Sequence, residues 1–242
     1  MSEAAPFALS VVIPVYNEAW NVAEAIRRVE AYRRVKNQAW EILVVNDGSR
    51  DNTKELAENY IRRENLGHAR VLSFEKNRGK GAAVREGVLA SRGKYILLTD
   101  ADLSSPIKEV DKLVRSLDFG TDVAIGSRAV RSRDADVQQT WKRALSGRIF
   151  NFLVRFTVLP GIRDTQCGFK CFSRKAALDI FSVQKLDGFS FDVEALYLAR
   201  RKRYKISEIP VMWRQGDKTS VHLFHDSFRM ASDLLKIRKI HG

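Results

Sequence analysis

Two aspartates separated by one residue, Asp100-Ala101-Asp102, follow the apolar run at residues 95–99. The run predicts a buried β-strand, so both carboxylates would leave the strand at its carboxyl end. Carboxylate oxygens suit Mg²⁺ or Mn²⁺, which proteins commonly hold through one or two carboxylates together with substrate phosphates. The alternative for an isolated pair is a solvated turn before a helix that is capped near Ser104-Ser105-Pro106.

Two further polar clusters follow strand-like apolar runs. The run at residues 9–15 ends in Pro14-Val15-Tyr16-Asn17-Glu18, and the run at residues 42–45 ends in Asn46-Asp47-Gly48-Ser49. Each cluster alone could be a turn or a helix cap. In an open α/β sheet, however, ligands bind in the crevice outside the carboxyl ends of the strands. All the clusters would face that crevice, and their joint placement therefore favours a binding site.

The elements that must position these clusters alternate between strand and helix. We predict strands near residues 9–15, 40–46, 69–74, 95–100 and 121–127, with amphipathic helices such as residues 19–35 and 53–63 between them. Beyond Arg128 we predict helices near residues 138–156, 174–181, 191–203 and 224–240, and strands near residues 168–173 and 206–213. The alternation predicts one α/β domain with a mainly parallel central sheet flanked by helices.

The composition narrows the choice of partner. The chain has 242 residues, is 45% hydrophobic and carries a formal net charge of +13. This length suits one substantial core. The charge indicates an anionic partner, which could be nucleic acid, an acidic bilayer or a phosphorylated substrate. No nucleic-acid-binding motif or interleaved set of aromatic residues accompanies the charge, so we expect no nucleic acid among the partners.

Redox and targeting features predict a protein of the cytoplasm. Cys167 and Cys171 would lie about 13 Å apart on one strand, too far for a disulfide, so we expect reduced thiols. Residues 1–8 lack the basic start and apolar core of a signal peptide. No run approaches the ~18 apolar residues of a spanning helix, so we expect no membrane anchor. Residues 149–159 are apolar and aromatic, and they fit either a core helix or an interfacial helix.

The motifs together resemble a known family. Residues 14–18, 45–49 and 100–102, with Gly126-Ser127-Arg128, look like the family 2 inverting glycosyltransferases of the GT-A (nucleotide-diphospho-sugar transferase) fold. Within that family the chain resembles the polyprenyl-phosphate glycosyltransferases. The segments most similar to dolichyl-phosphate β-glucosyltransferases are residues 77–82, 161–170 and 191–194. The resemblance runs from about residue 9 to residue 238, and Asp164 to Lys170 is its more specific part.

The resemblance implies a site for a nucleotide-sugar donor. Residues 9–128 would form the donor part of the single domain, and residues 129–242 the acceptor part. Within the donor part, Asp47 would contact the base and Glu18 would lie near the ribose. The implied donor-binding residues are Pro14, Tyr16, Glu18, Val45, Asp47, Asp100, Ala101, Asp102 and Arg214, the last of which would close over the donor.

Asp100 and Asp102 would then hold Mg²⁺ or Mn²⁺ and neutralise the charge that grows on the leaving diphosphate. Many related mannosyltransferases have glutamine where this chain has Ser104, whose hydroxyl is a candidate metal ligand, directly or through water. The nearby sequence Arg78-Gly79-Lys80-Gly81 completes neither the Walker pattern nor the dinucleotide fingerprint. We therefore favour tight helix–strand packing over phosphate binding for these glycines.

An acceptor phosphate would need cations rather than a base. A phosphate monoester carries about −1.5 to −2 charges at neutral pH and is already a nucleophile. Asp164 could orient the acceptor, act as a base, or form a structural ion pair with Arg163. The candidates for holding the phosphate are Arg128, Lys142, Arg143 and Ser146. The alternative for each basic residue alone is a solvated helix face.

The expected function is inverting transfer of a hexose, glucose from UDP-glucose, to a polyprenyl phosphate such as dolichyl or undecaprenyl phosphate. A GDP-mannose-dependent polyprenyl-phosphate mannosyltransferase is the alternative within the class. A catalytically silent nucleotide-sugar-binding protein is the alternative outside it. Membrane contact would be peripheral, at the cytoplasmic face, through residues 149–159 or the basic end of the last helix, or through a separate membrane-protein partner.

Overall fold

A computed structural model of the chain describes residues 5–130, 137–138, 159–214, 233 and 236–241. The strands are β1 (Phe7–Val15), β2 (Trp40–Asn46), β3 (Ala69–Ser73), β4 (Gly93–Leu98), β5 (Val123–Ser127), β6 (Val137–Gln138), β7 (Lys170–Ser173), β8 (Ile206–Pro210) and β9 (Trp213–Arg214). The helices are α1 (Val22–Lys36), α2 (Thr53–Arg63), α3 (Lys80–Ala90), α4 (Val110–Asp118), α5 (Arg174–Phe181) and α6 (Phe191–Arg201). A 3₁₀ turn, Ile107–Glu109, precedes α4, and residues 236–241 are helical. Within the ranges given above, no helix combines the length and the apolar character needed to cross a membrane.

Seven strands form one sheet in the order β3-β2-β1-β4-β7-β5-β8. The pairs β1–β2, β1–β4, β2–β3 and β5–β8 are parallel. Strand β7 is inserted between β4 and β5 and is antiparallel to both. The short strands β6 and β9 form a separate parallel pair. The predicted α/β fold with a mainly parallel sheet is therefore confirmed.

Helices cover both faces of the sheet, which explains the almost continuous apolar sequence of its central strands. Successive strand residues point to opposite faces, so Val12 and Val11 enter different apolar clusters. Helices α3, α5 and α6 contribute to the cluster that contains Val12. Helices α1 and α4 contribute to the cluster that contains Val11. The core of the domain thus lies in two layers, one on each side of the sheet.

The predicted elements differ from the structure mainly at their ends. The predicted strand 168–173 begins only at Lys170, and the Ser173 hydroxyl accepts a hydrogen bond from the Ala176 amide, so that α5 follows β7 directly. The predicted strand 206–213 divides into β8 and β9 because the Met212 amide leaves the sheet and donates to Glu109 Oε2 (3.2 Å). The predicted helix 138–156 is wrong at its first residue, because Gln138 pairs with Arg214 in the strand pair β6–β9, and residues 139–156 lie outside the described residues.

The start of β4 packs against β1 without room for a side chain. The Gly93 amide donates to Ser10 Oγ (2.7 Å), whose hydroxyl donates to the buried carboxylate of Glu41 (2.6 Å). A Cβ on Gly93 would lie 2.5 Å from the Ser10 backbone nitrogen and 2.8 Å from the Leu9 carbonyl carbon. Backbone atoms in a central strand cannot move aside independently, so this contact requires glycine.

We expect Gly93→Ala to lower the free energy of unfolding by about 1–3 kcal/mol, because the added methyl overpacks the β1–β4 contact. Urea denaturation followed by circular dichroism measures this change. Gly67→Ala is the matched control, since a Cβ on Gly67 meets no atom within 4 Å, and it should change stability by less than about 0.5 kcal/mol. Equal stabilities for the two variants would contradict the expectation.

Candidate active site

The carboxyl edge of the sheet gathers the polar clusters that follow the strands. Strands β1, β2, β4 and β5 run in one direction and end at this edge, while antiparallel β7 begins there. The loops after β1, β2 and β4 carry Glu18, Asp47 and Asp100, and Arg128 follows β5 directly. The chain that enters β7 brings Asp164 to the same edge. The joint placement predicted from the sequence is confirmed.

Asp100 is held by a lysine that lies on another element. The ammonium of Lys80, the first residue of α3, donates to Asp100 Oδ1 (2.6 Å). A Cβ on Gly168 would overlap the Asp100 carboxylate, so the chain before β7 passes directly over it. Burial opposes ionisation of Asp100, but Lys80, with Lys170 and Arg128, lowers its pKa below the ordinary range. The carboxylate is therefore charged and fixed in place.

Asp102 is oriented within its own loop. The Ser104 amide donates to Asp102 Oδ1 (2.9 Å) and the Ser104 hydroxyl donates to Oδ2 (2.7 Å). The Ser104 carbonyl accepts a hydrogen bond from the Arg214 amide (2.8 Å), which connects this loop to β9. Ser104 thus orients the aspartate, and its role as a direct metal ligand stays a prediction. Ala101 is buried between the two aspartates, in the core.

These residues fit a divalent cation. Burial raises the pKa of Glu18, a hydrogen bond from Asn21 acts against this shift, and the carboxylates of Asp102 and Asp100 raise the pKa further. A cation relieves such crowding of like charges. In the part of the chain that the structure describes, no three His, Cys, Asp or Glu side chains form a metal cluster. Mg²⁺ needs only one or two carboxylates beside substrate phosphates, so the pair is sufficient.

Asp47 holds the loop that leads into α3. Its buried carboxylate accepts hydrogen bonds from the Arg78 amide (2.7 Å), the Gly79 amide (2.9 Å) and the Asn77 side chain (2.9 Å). Burial raises the pKa of Asp47, while these backbone amides lower it. Asp47 therefore fixes the backbone of residues 78 and 79, and its contact with a nucleotide base stays a prediction.

The other predicted nucleotide residues lie around Asp47. Pro14 of β1 is the register partner of Val45 of β2. The Val45 side chain is fully buried in the core, so only its backbone is available to a ligand. Tyr16 follows β1 and is half-buried. Their placement agrees with a pocket at this edge, and their contacts with a donor stay predictions.

Gly79 and Gly81 serve tight packing, as expected, but against a loop rather than a strand. Gly79 has a φ of +106°, a region that favours glycine. A Cβ on Gly79 or Gly81 would overlap the backbone oxygens of Asp187 and Leu186 respectively. This contact seats the N-terminus of α3, and with it Lys80, beside Asp100.

Arg128 and Asp164 form a bidentate ion pair in which the carboxylate is buried and the arginine is part-exposed. Arg128 Nε and Nη2 donate to Asp164 Oδ2 and Oδ1, each at 2.8 Å, and the Arg128 amide donates to Oδ2 (2.9 Å). Burial opposes ionisation of Asp164, but the guanidinium outweighs it and lowers the pKa of Asp164. The alternative pairing with Arg163 is wrong, because Asp164 pairs with Arg128, and Arg163 uses its amide to donate to Glu208 (2.9 Å).

A second ion pair, Lys170 with Asp192, was missed by the sequence interpretation. Lys170 Nζ donates to Asp192 Oδ1 (2.6 Å) and to the Cys167 carbonyl (2.5 Å). Burial raises the pKa of Asp192, while Lys170 and Lys80 act against that shift. Lys170 and Asp192 both lie in segments that resemble the family, residues 161–170 and 191–194. The sequence interpretation gave a role in these segments only to Asp164. Lys80 was missed in the same way.

The remaining acceptor candidates Lys142, Arg143 and Ser146 lie outside the described residues, as does most of residues 149–159.

Arg214 is exposed at the end of β9. The Arg128 guanidinium carbon lies 5.4 Å from the centre of the Trp213 ring, so β9 stands beside the Arg128–Asp164 pair. The described site therefore contains a carboxylate pair and a fixed arginine at one sheet edge.

Comparison with solved structures defines the fold. The structure of glucosyl-3-phosphoglycerate synthase from Mycobacterium tuberculosis with UDP has a TM-score of 0.73 at 19% identity and covers 98% of this chain and 82% of that chain. The structure of the same enzyme with Mn²⁺, UDP-glucose and phosphoglyceric acid also has a TM-score of 0.73 at 19% identity, with the same coverage. At this level of identity the likeness shows the fold alone, which is the GT-A fold.

Sequence comparison defines the family. The family described as Glycosyl transferase family 2 matches residues 10–181, and the chain belongs to it. The chain is 41% identical over 246 residues to dolichyl-phosphate β-glucosyltransferase of Saccharomyces cerevisiae, covering 95% of this chain and 74% of that protein. It is 38% identical over 241 residues to dolichyl-phosphate β-glucosyltransferase of Homo sapiens, with the same coverage. The chain is therefore a glycosyltransferase.

We expect Asp164→Asn to lower the free energy of unfolding by about 1–3 kcal/mol near pH 7, because the Arg128 guanidinium loses its charged partner. The folded pKa of Asp164 lies below the unfolded value of about 3.9, so its stabilising contribution is present above that value and is lost as the pH falls through the folded pKa. The difference between wild type and variant should therefore shrink below about pH 4.

Urea denaturation at neutral and acidic pH measures this difference. Glu86→Gln is the control, because Glu86 is exposed on α3, and it should change stability by less than about 0.5 kcal/mol. A difference between wild type and Asp164→Asn that grows on acidification would contradict the ion-pair assignment.

Proposed function

We propose that this chain transfers glucose from UDP-glucose to the phosphate of dolichyl phosphate or a similar polyprenyl phosphate, with inversion at the sugar carbon. The observation that supports the proposal is the bidentate Arg128–Asp164 pair at the same sheet edge as the Asp100 and Asp102 carboxylates, in a chain 34–41% identical to dolichyl-phosphate β-glucosyltransferases. The reaction would take place at the cytoplasmic face of a membrane. Contact with that membrane would be peripheral or through a separate membrane-protein partner.

The donor part of the site is proposed to be the loops after β1, β2 and β4. Asp100 and Asp102 are the residues that would hold Mg²⁺ or Mn²⁺, and both carboxylates are already oriented, by Lys80 and Ser104. A bound divalent cation would neutralise the charge that develops on the leaving diphosphate. The structure of glucosyl-3-phosphoglycerate synthase with Mn²⁺ and UDP-glucose supports this choice of donor and metal for the fold.

The acceptor part of the proposal depends on the state of Asp164. Its carboxylate is paired with Arg128 at two oxygens, and its pKa is lowered, so it is a weak base. An alcohol acceptor would need a stronger base than this. A phosphate monoester needs none, because it is already ionised. Arg128, oriented by Asp164, would bind the phosphate oxygens, and Lys142, Arg143 and Ser146 would add to that contact.

We expect purified enzyme with Mn²⁺ to transfer glucose from UDP-glucose to a short polyprenyl phosphate and to leave the corresponding polyprenol unglycosylated. The rate at low acceptor concentration should rise with pH through the second ionisation of the phosphate, near pH 6. The measurement is a pH–rate profile with radiolabelled donor, and GDP-mannose serves as the competing donor.

Asp164→Asn is the matched variant for this profile. It should be slower than wild type because Arg128 is no longer fixed, but the rise near pH 6 should remain, since the ionising group belongs to the acceptor. Equal use of polyprenol and polyprenyl phosphate, or loss of the rise in Asp164→Asn, would contradict the phosphate nucleophile. Faster transfer from GDP-mannose than from UDP-glucose would show that GDP-mannose is the preferred donor.

We expect Asp102→Ala to lower kcat by about 10²- to 10³-fold, because the lost interaction acts mainly on charge that develops in the transition state. The thermal stability of the variant should change little, since the described hydrogen bonds of the Asp102 side chain are only those with Ser104. Steady-state kinetics and thermal denaturation measure both effects. EDTA should abolish wild-type turnover, and Glu86→Ala, which removes an exposed carboxylate, is the control. Wild-type turnover that persists in EDTA would contradict the proposal that the reaction needs a divalent cation.

A further inference from the structure

Lys170 is a fully buried cation in an inner strand of the sheet, at the carboxyl edge. It is the first residue of β7, and its register partners are Leu98 of β4 and Ile125 of β5. A buried ammonium is costly unless it is paired and hydrogen-bonded. Lys170 is compensated by the Asp192 carboxylate at the first turn of α6 and by the Cys167 carbonyl. An apolar residue would satisfy the core more simply, so the cation requires a further explanation.

The contacts of Lys170 lead to both parts of the candidate site. The Cys167 carbonyl that it holds belongs to the segment 164–168, which enters β7. The last residue of this segment, Gly168, lies directly against the Asp100 carboxylate. Its first residue, Asp164, binds the Arg128 guanidinium. One segment therefore contacts the donor-side carboxylate at one end and the acceptor-side arginine at the other.

The charge of Lys170 also stabilises the segment that its hydrogen bond holds. Burial opposes ionisation of Asp164, and Arg128 is its nearer cation. Lys170 adds to Arg128 and lowers the pKa of Asp164. Lys170 is thus a buried ammonium whose hydrogen bond holds the segment and whose charge favours the ionised form of Asp164 at one end of it.

We propose that Lys170 is a positioning residue for the transfer reaction, which holds residues 164–168 so that Asp100 and Arg128 keep one fixed arrangement. Asp192 anchors the ammonium from α6. The expected effect on kcat rests on the proposed function. The positioning itself can be measured in the protein without substrate. Misplacement by about 1 Å can lower a rate about 100-fold, so the effect should appear in kcat.

The test compares Lys170→Met/Asp192→Asn with Lys36→Met/Asp111→Asn. The first double variant removes both charges of the buried pair and so leaves no unpaired ion in the core. The second removes a part-exposed pair at the opposite edge of the sheet, where Lys36 contacts Asp111 at 2.9 Å. We expect the first to lower kcat by about 10- to 100-fold, with less change in the KM for donor, and the second to leave kcat unchanged.

Hydrogen–deuterium exchange gives a readout that needs no substrate. The Asp164 and Gln166 amides donate to Glu208 (2.9 Å) and to Asp164 Oδ1 (3.3 Å) in the structure. They should exchange faster in Lys170→Met/Asp192→Asn than in wild type, while the amides of β1 and β2 stay protected. The Lys36→Met/Asp111→Asn variant should exchange as wild type does.

Single variants separate positioning from a simple ion pair. Lys170→Met loses the bond to Cys167 and should be the slower enzyme, whereas Asp192→Asn keeps that bond and should lose less than Lys170→Met. These single variants also decide the matter if the double variant fails to fold. Equal losses in the two, or wild-type kcat and exchange in the folded double variant, would overturn the inference. A wild type that transfers no glucose would count against the proposed function alone, because exchange still measures the positioning.

Discussion

The antiparallel insertion of β7 between β4 and β5 is the constraint on which the candidate site depends. A parallel strand in that position would end at the carboxyl edge, and its incoming loop would lie at the opposite edge. Because β7 runs the other way, the segment 164–168 enters the sheet beside the ends of β4 and β5. That direction brings Asp164 to Arg128 and Gly168 to Asp100. One strand therefore joins the two halves of the site.

Opposite charges alternate along this edge of the sheet. Lys80 pairs with Asp100, Arg128 with Asp164, and Lys170 with Asp192. Each pair fixes its members before any substrate arrives, and preorganised charges need no reorganisation during a reaction. The same pairing is the basis of our proposal that Asp164 orients Arg128 and does not act as a general base. The proposed acceptor, a phosphate monoester, brings its own negative charge and needs no base.

The loop proposed to bind the nucleotide is connected to the Asp100 carboxylate through the start of α3. Asp47 binds the backbone amides of Arg78 and Gly79, and the next residue, Lys80, binds Asp100. The close contact of Gly79 with residues 187 and 188 holds this turn from the other side. Three consecutive residues, 78–80, thus connect the Asp47 and Asp100 carboxylates by hydrogen bonds.

The sequence by itself determined the α/β class, the approximate position of most elements and the residues that end each parallel strand, because apolar periodicity and turn residues are local properties. The motifs at Asp100-Ala101-Asp102 and Asp164 to Lys170 also identified the family. Only the tertiary structure decided which charges pair. Asp164 binds Arg128, 36 residues away, rather than its neighbour Arg163, and Lys170 binds Asp192. Such pairs depend on strand order and direction, and neither is encoded in the local pattern around one residue.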